Sequence, residues 1–231
     1  MTATLTVCRL DRRRGGAVLE ALLGAAFAGV VGSDRWSAYN RFPAARRALC
    51  YAHIKRDFQG LMDRGGEPEP IGRWGLAEIE RLFALWHRFR AGEFARPELR
   101  RRLVPLQARF GRLLRRGQES PDRKAAALCR ELMKWWPALW TFARVEGVEP
   151  TNNGAERALR PAVLWRKGSF GADSEAGGRF AERLLTVAAT CRQQGRPLLD
   201  FLVAAGEAVR RGTAAPSLLL TRPGVGELLP R

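Results

Sequence analysis

Two carboxylates stand in surroundings suited to phosphodiester chemistry. Glu156 lies in the window PTNNGAERALRPAVLWRKGSFG (150–171), where polar, charged and glycine residues crowd around one acid. Arg157, Arg160, Arg166 and Lys167 form a cationic collar there, which suits a phosphodiester held over that carboxylate. Thr151, Asn152 and Asn153 can cap a helix, and Pro161 limits how far it runs undisturbed, so Glu156 falls in a first turn. A structural account fits the same residues. Asn153 and Glu156 match a capping box, Glu156 and Arg160 an i,i+4 ion pair, and acids favour helix N-termini. On spacing alone that account leads. The second acid, Asp34, follows the short apolar run Gly29-Val30-Val31-Gly32 and falls just past the carboxyl end of an expected strand, where open α/β sheets place ligands.

Composition narrows the class. The chain has 231 residues, with 40 Lys+Arg against 23 Asp+Glu and a formal net charge of +17. This excludes an acidic solvating tail and an ordinary near-neutral metabolic enzyme. Because 46% of residues are hydrophobic, including seven Trp and eleven Phe, a core can be buried and the basicity does not signal disorder. Only Lys55, Lys124, Lys134 and Lys167 are lysine, which fits either arginine-favouring codon usage or selection for forked phosphate binding. No window holds 18 uninterrupted apolar residues, so no membrane partner and a cytoplasmic location are expected. Cys8, Cys50, Cys129 and Cys191 lack the spacing of a disulfide framework and are expected to be reduced and buried. Cys50 and His53 make half of a zinc site with no second half nearby, and packing is the favoured reading. His53 and Asp57, one helical turn apart, read as a packed, hydrogen-bonded pair.

The elements that must position these acids alternate at first. Residues 4–10 alternate polar and apolar, as in a half-buried strand; Val18, Leu19, Leu22, Leu23 and Phe27 recur at helical spacing; residues 29–32 suit a second strand. Strand, helix, strand favours an α/β layer with a parallel pair. Trp36 and Tyr39, just after Asp34, are read as packing beneath it. Past the Gly- and Pro-rich residues 65–70, everything reads as helix. Ile79, Leu82, Phe83, Trp86 and Phe89 make one apolar stripe; Leu99, Leu103, Leu106, Phe110 and Leu113 make another, with Pro105 expected to kink it. Arg101, Arg102, Arg109, Arg112 and Arg116 opposite that stripe read equally as a solvated face or a phosphate-facing rail. Ser120-Pro121 is expected to open a helix that Pro137 interrupts, and Trp135, Trp136, Trp140 and Phe142 read as core.

The words SDRWSAYN (33–40), LCYAHIKRDF (49–58), PTNNGAERALRPAVLWRKGSFG (150–171), SEAGGRFAERLLTVAATCRQQGR (174–196) and LLDFL (198–202) resemble the transposase of the insertion-sequence 66 family, in colinear order over most of the chain. The resemblance implies an α/β, predominantly helical protein: a partial ribonuclease-H-like core of the retroviral-integrase superfamily with an all-helical insertion. It divides the chain into a partial core (1–64), the insertion (65–149), the catalytic-glutamate helix with the closing helices (150–212) and a tail (213–231). It further implies a DDE transposase that cleaves and joins DNA during transposition. Asp34 matches the family's second metal-binding acid and Glu156 its third, in a site for two Mg²⁺ or Mn²⁺ ions. Asn152, Asn153, Arg157, Arg160, Arg166 and Lys167 would bind DNA. The implied partners are transposon ends and target DNA, with two copies assembled on paired ends.

The family's first acid belongs on a strand upstream of the residues this chain resembles, and Asp11 does not replace it, because it precedes Arg12-Arg13-Arg14 at a turn. The expectation is therefore a truncated or frame-split transposase, inactive alone. The rival reading is a non-catalytic basic DNA-binding remnant. A structural protein of a ribonucleoprotein would leave the TNNGAER word unexplained.

Overall fold

Helical periodicity dominates the sequence, and the computed structural model, which describes residues 1–2, 4–11, 15–24 and 26–219, places ten helices and two short strands among them. The Arg12–Arg14 turn and residues 220–231 of the tail lie outside the described residues. The chain forms two compact units: Gly15–Asn153, and Met1–Arg14 with Gly154–Arg231.

In the Gly15–Asn153 unit, α1 (Gly16–Leu23) stops short of Phe27, because Gly24 takes a positive φ of 81° and turns the chain. Strand β1 (Val31–Ser33) pairs in parallel with β2 (Arg47–Leu49), Val31 opposite Arg47 and Ser33 opposite Leu49. Two 3-10 turns, Ser37–Arg41 and Ala44–Arg46, connect them. A parallel pair is thus present, but its second member is residues 47–49, a strand too short to register as a pattern. Helices α2 (Tyr51–Asp63), α3 (Glu69–Arg90), α4 (Arg96–Gln118) and α5 (Arg123–Lys134) follow, with short α6 (Trp136–Leu139) and α7 (Thr141–Arg144).

Both expected apolar stripes face one core. Ile79, Leu82 and Trp86 of α3 and Leu99, Leu103, Leu106, Phe110 and Leu113 of α4 are buried there, together with Trp135, Trp140 and Phe142. Each large apolar side chain so buried contributes about 1.5–3 kcal/mol. Pro105 lies inside α4 without ending it. Helix α5 starts later than Ser120 suggests: the Asp122 carboxylate caps it, accepting the Ala125 N–H at 2.7 Å and pairing with Arg64 at 2.6 Å. Pro137 opens α6 rather than interrupting a longer helix, since a first turn needs no proline N–H.

The other unit contains α8 (Asn153–Ser169, from Gly154 onward), α9 (Glu175–Gln193) and α10 (Leu198–Arg211). Pro161 sits inside α8 without ending it; it costs one intrahelical bond on an exposed face where water can serve the freed carbonyl. The expected strand over residues 4–10 does not form. The segment lies along α9 instead: the N–H groups of Thr6 and Cys8 donate to Thr190 Oγ1 and Thr186 Oγ1 at 3.2 and 3.0 Å, and that of Leu10 to Glu182 Oε1 at 2.6 Å. Two extended residues advance about 6.7 Å and one helical turn about 5.4–6 Å, so every second amide meets a side chain four positions earlier on the helix. The segment is two-sided, but its faces are the reverse of what the alternation implies: polar Thr6 is buried with Cys8, and apolar Val7 is exposed, because the covering helix offers hydroxyl and carboxylate acceptors. It could not name the element that covers it.

Helices α2 and α3 cross closely enough that a Cβ on Gly72 would lie 2.5 Å from the Met62 amide nitrogen and 2.6 Å from the Phe58 carbonyl oxygen. Backbone cannot yield as a flexible side chain does. Gly72→Ala is expected to destabilise the protein by about 1–3 kcal/mol, whereas Gly60→Ala, with open space at its Cβ, should gain about 0.5–1 kcal/mol; urea titration of both variants checks the contrast. On α4, hydrogen bonds from Arg101 and Arg102 hold the Glu98 carboxyl down to about 2. A carboxyl whose pKa is depressed by folding stabilises above its unfolded pKa and loses that contribution as pH falls through the folded one. Glu98→Gln should therefore flatten the acid limb of the stability profile between about pH 4.5 and pH 2, measured by denaturation across that range.

Candidate functional site

The Asp34 region is built on the end of β1. Asp34 directly follows Ser33, is half-buried, and its Oδ1 accepts the Trp36 N–H at 3.0 Å, which folds the turn over the carboxylate. Trp36 and Tyr39 pack edge to face, ring centroids 5.8 Å apart. Arg35 anchors the turn from the other side, donating to Glu131 on α5 and to Asp57 Oδ2 on α2 at 2.7 Å. Asp57 is thus tied to the SDRWSAYN word.

Beneath the turn lies Arg47, whose whole residue is 0% exposed. Its Nη1 donates to Asn40 Oδ1 at 3.1 Å, its Nη2 to the Asp34 carbonyl oxygen at 3.3 Å, and its guanidinium carbon lies 4.2 Å from the Trp135 ring centroid. Its own carbonyl accepts the Thr141 hydroxyl at 2.7 Å. Burial pulls the guanidinium below the usual arginine range, and the Glu131 and Asp34 carboxylates push it back up. One side chain therefore links β2, the Asp34 turn and the helical layer.

Cys50, at the end of β2, joins two distant words of the sequence. Its N–H donates to the Ser33 carbonyl at 2.9 Å, and its Sγ accepts the Asn152 N–H at 3.4 Å. Next to it, the Tyr51 N–H donates to the Pro150 carbonyl at 2.8 Å. The residue read as half of a zinc site spends its sulfur on a backbone amide. The strand end that leads into Asp34 and the segment that leads into α8 thus meet on one buried cysteine, and all four free cysteines are buried as expected. The Asn152 side-chain oxygen is buried there without a hydrogen-bond donor.

Glu156 stands in the first turn of α8, exposed, with Asn153 half-buried as the first residue of that helix. Arg157, Arg160, Arg166 and Lys167 are exposed, and among the described residues none of them forms a salt bridge. The i,i+4 pair to Arg160 is therefore not made. The arginines of α4 divide differently. Arg101 and Arg102 pair with Glu98, and Arg109 pairs with buried Glu78, as a structural role requires. Arg112 and Arg116 are exposed. Among the described residues no group of three His, Cys, Asp or Glu side chains is placed to hold a metal ion. None of the described helices is long and apolar enough to cross a membrane.

The words agree with comparison to known proteins. The family model described as "Transposase IS66 family" matches residues 2–180. The chain belongs to the IS66 transposase family. Similar curated relatives are two uncharacterized proteins of Sinorhizobium fredii (strain NBRC 101917 / NGR234): y4qI, 30% identical over 206 residues that cover 83% of this chain, and y4hP, 27% identical over 212 residues that cover 78% of it. The matched regions span 38% and 36% of those relatives' own lengths, so this chain corresponds to well under half of each. No solved structure matches the chain.

Sequence reasoning found Asp34, Glu156, the two asparagines and the collar, but passed over Arg35, Arg47 and Cys50 as positioning groups. Only Cys50 offered a signal, its reading as a buried, packed cysteine, which named no partner. Arg47→Lys is expected to cost about 1–3 kcal/mol, because an ammonium cannot reproduce the fork to Asn40 and the Asp34 carbonyl or lie flat on Trp135. Chemical denaturation measures the loss, and an unchanged midpoint would show that the fork contributes nothing.

Proposed function

We infer that this chain acts on DNA as part of a transposase, in phosphodiester cleavage and strand transfer, with a ribonuclease-H-like core that presents Asp34 and Glu156 as its second and third acids. The observation that carries this reading is the meeting, on Cys50, of the strand end before Asp34 with the TNN segment before α8. Two of the family's words, far apart in sequence, are joined within one unit through Cys50, whose N–H donates to the Ser33 carbonyl and whose Sγ accepts the Asn152 N–H.

In this reading Asp34 and Glu156 are the oxygen ligands that would hold Mg²⁺ or Mn²⁺, hard cations that take carboxylates. When bound, such ions supply charge neutralisation at the attacking and leaving oxygens of an in-line displacement. The residues described here match that requirement in donor type but not in number, since no three-donor group is present among them. The chain's own contribution is clearer for the substrate. Arg157, Arg160, Arg166 and Lys167 neutralise and seat phosphates, while Asn152 and Asn153 add amide donors for the backbone of the strand. Two copies assembled on paired transposon ends would present two such surfaces. The exposed collar, whose cations form no salt bridge among the described residues, equally fits a second reading, a basic DNA-binding remnant without strand transfer.

Supercoiled plasmid in Mn²⁺ separates the readings. A catalytic chain nicks it, and Asp34→Asn and Glu156→Gln each abolish nicking while leaving DNA binding intact. A remnant binds the plasmid with the same salt sensitivity, does not nick it, and is indifferent to both substitutions. Replacing all four collar cations with Ala should lower the slope of log affinity against log salt on duplex DNA by about 3.6. Absence of any salt-dependent DNA binding would remove both readings.

A further inference from the structure

Between α8 and α9, Phe170 does two things that a folded chain normally avoids. Its backbone takes φ of 60°, and it is the only non-glycine residue with positive φ among those described. Its side chain is 93% exposed, the most exposed of the large hydrophobics. Glycine serves the left-handed conformation without a Cβ clash and stands on both sides of the turn, at Gly168 and Gly171. A phenylalanine there serves neither the turn nor a core, and strained, solvent-facing residues of this kind mark contact with something outside the fold.

The surroundings identify the contact. Arg166 and Lys167, four and three residues earlier, are exposed and have no carboxylate partner among the described residues. Phe170 and Arg166 also border a cavity of about 810 Å³ within the same unit, whose further lining includes Trp165, the cations Arg9 and Arg179 and the acids Asp11, Glu175 and Glu182. Arg9 pairs with Glu182 and Arg179 with Glu175, whereas Arg166 forms no salt bridge among the described residues. A protruding aromatic ring beside uncompensated cations, over a cavity with a second aromatic wall, matches a nucleobase with its phosphate better than an apolar protein surface. Bases offer a π-face to the ring, and phosphates answer the guanidinium and ammonium groups.

We propose that Phe170 stacks on an unpaired nucleobase of the DNA substrate, with Arg166 and Lys167 holding the adjoining phosphates. The proposal rests on the reading of the chain as a DNA-processing protein and adds a residue that grips single-stranded or locally opened DNA. Opened bases arise wherever strands are cut and rejoined, and a ring held outward in a left-handed turn is ready for one without rearrangement.

The test uses the full chain and a mixed-sequence single-stranded oligonucleotide carrying one 2-aminopurine, with its fully paired duplex as reference. Phe170→Gly should lower single-strand affinity about tenfold or more, leave the salt slope unchanged, and abolish the 2-aminopurine fluorescence change seen with the unsubstituted chain. Phe170→Trp should restore both. Arg166→Ala and Lys167→Ala should each lower the single-strand salt slope by about 0.7. Because glycine relieves the left-handed backbone, Phe170→Gly should melt no lower than the parent chain, so a binding loss is not an unfolding artefact. Salt-dependent DNA binding that persists while Phe170→Gly binds single strands as tightly as the parent would overturn this proposal alone and assign the ring to a protein contact. Failure of the unsubstituted chain to bind any DNA would overturn the DNA-processing reading along with it.

Discussion

A guanidinium with no exposed surface determines how the Asp34 region is held. Arg47 belongs to β2 and lies in register with Val31 of β1, yet its side chain reaches the turn after β1 and its carbonyl is taken by Thr141. A two-stranded sheet of three residues per strand is too small to be stable alone. What fixes it is the cation clamped between the Trp135 ring and the oxygen acceptors of Asn40 and Asp34, an arrangement that works only while the helical layer is in place. The α5–α7 region, a separate helical stretch in the sequence, is thus a structural floor of the Asp34 turn.

Arg35 repeats the same logic from above. It fastens the turn to α5 through Glu131 and to α2 through Asp57, so the acid is held by two cations that engage different helices. Neither cation spends its hydrogen bonds on the Asp34 carboxylate. Arg47 binds the backbone carbonyl, and the Asp34 side chain answers the Trp36 amide. Orientation without neutralisation is what a carboxylate needs if it is to meet a cation or a reacting group. The collar on α8 contrasts with this: its cations form no salt bridge among the described residues, whereas three arginines of α4 are committed to Glu78 and Glu98.

The expectations that failed share one cause. Residues 4–10 alternate as a strand does, but their amides meet hydroxyl and carboxylate groups of α9 rather than another strand. Pro161 should limit a helix, and an exposed helical face tolerates it; Ser120 should cap one, and Asp122 two residues later does so with a stronger acceptor. In each case local pattern located an element boundary or a two-sided segment to within a few residues, but not the group or face that took part. The partner that decided the outcome came from elsewhere in the chain.

Amino-acid order by itself determined the helical stripes, the aromatic core, the burial of the cysteines, the position of Asp34 at a strand end and of Glu156 in a first helical turn, and membership of a transposase family through long colinear words. Periodicity and capping are local, and a word match needs no fold. Tertiary structure alone decided that Cys50 joins two backbone segments, that Arg47 is buried beneath Asp34, and that Phe170 stands in water on a strained backbone. Those three facts depend on which groups lie across space from a residue, and a lone arginine, cysteine or phenylalanine looks the same in sequence whatever faces it.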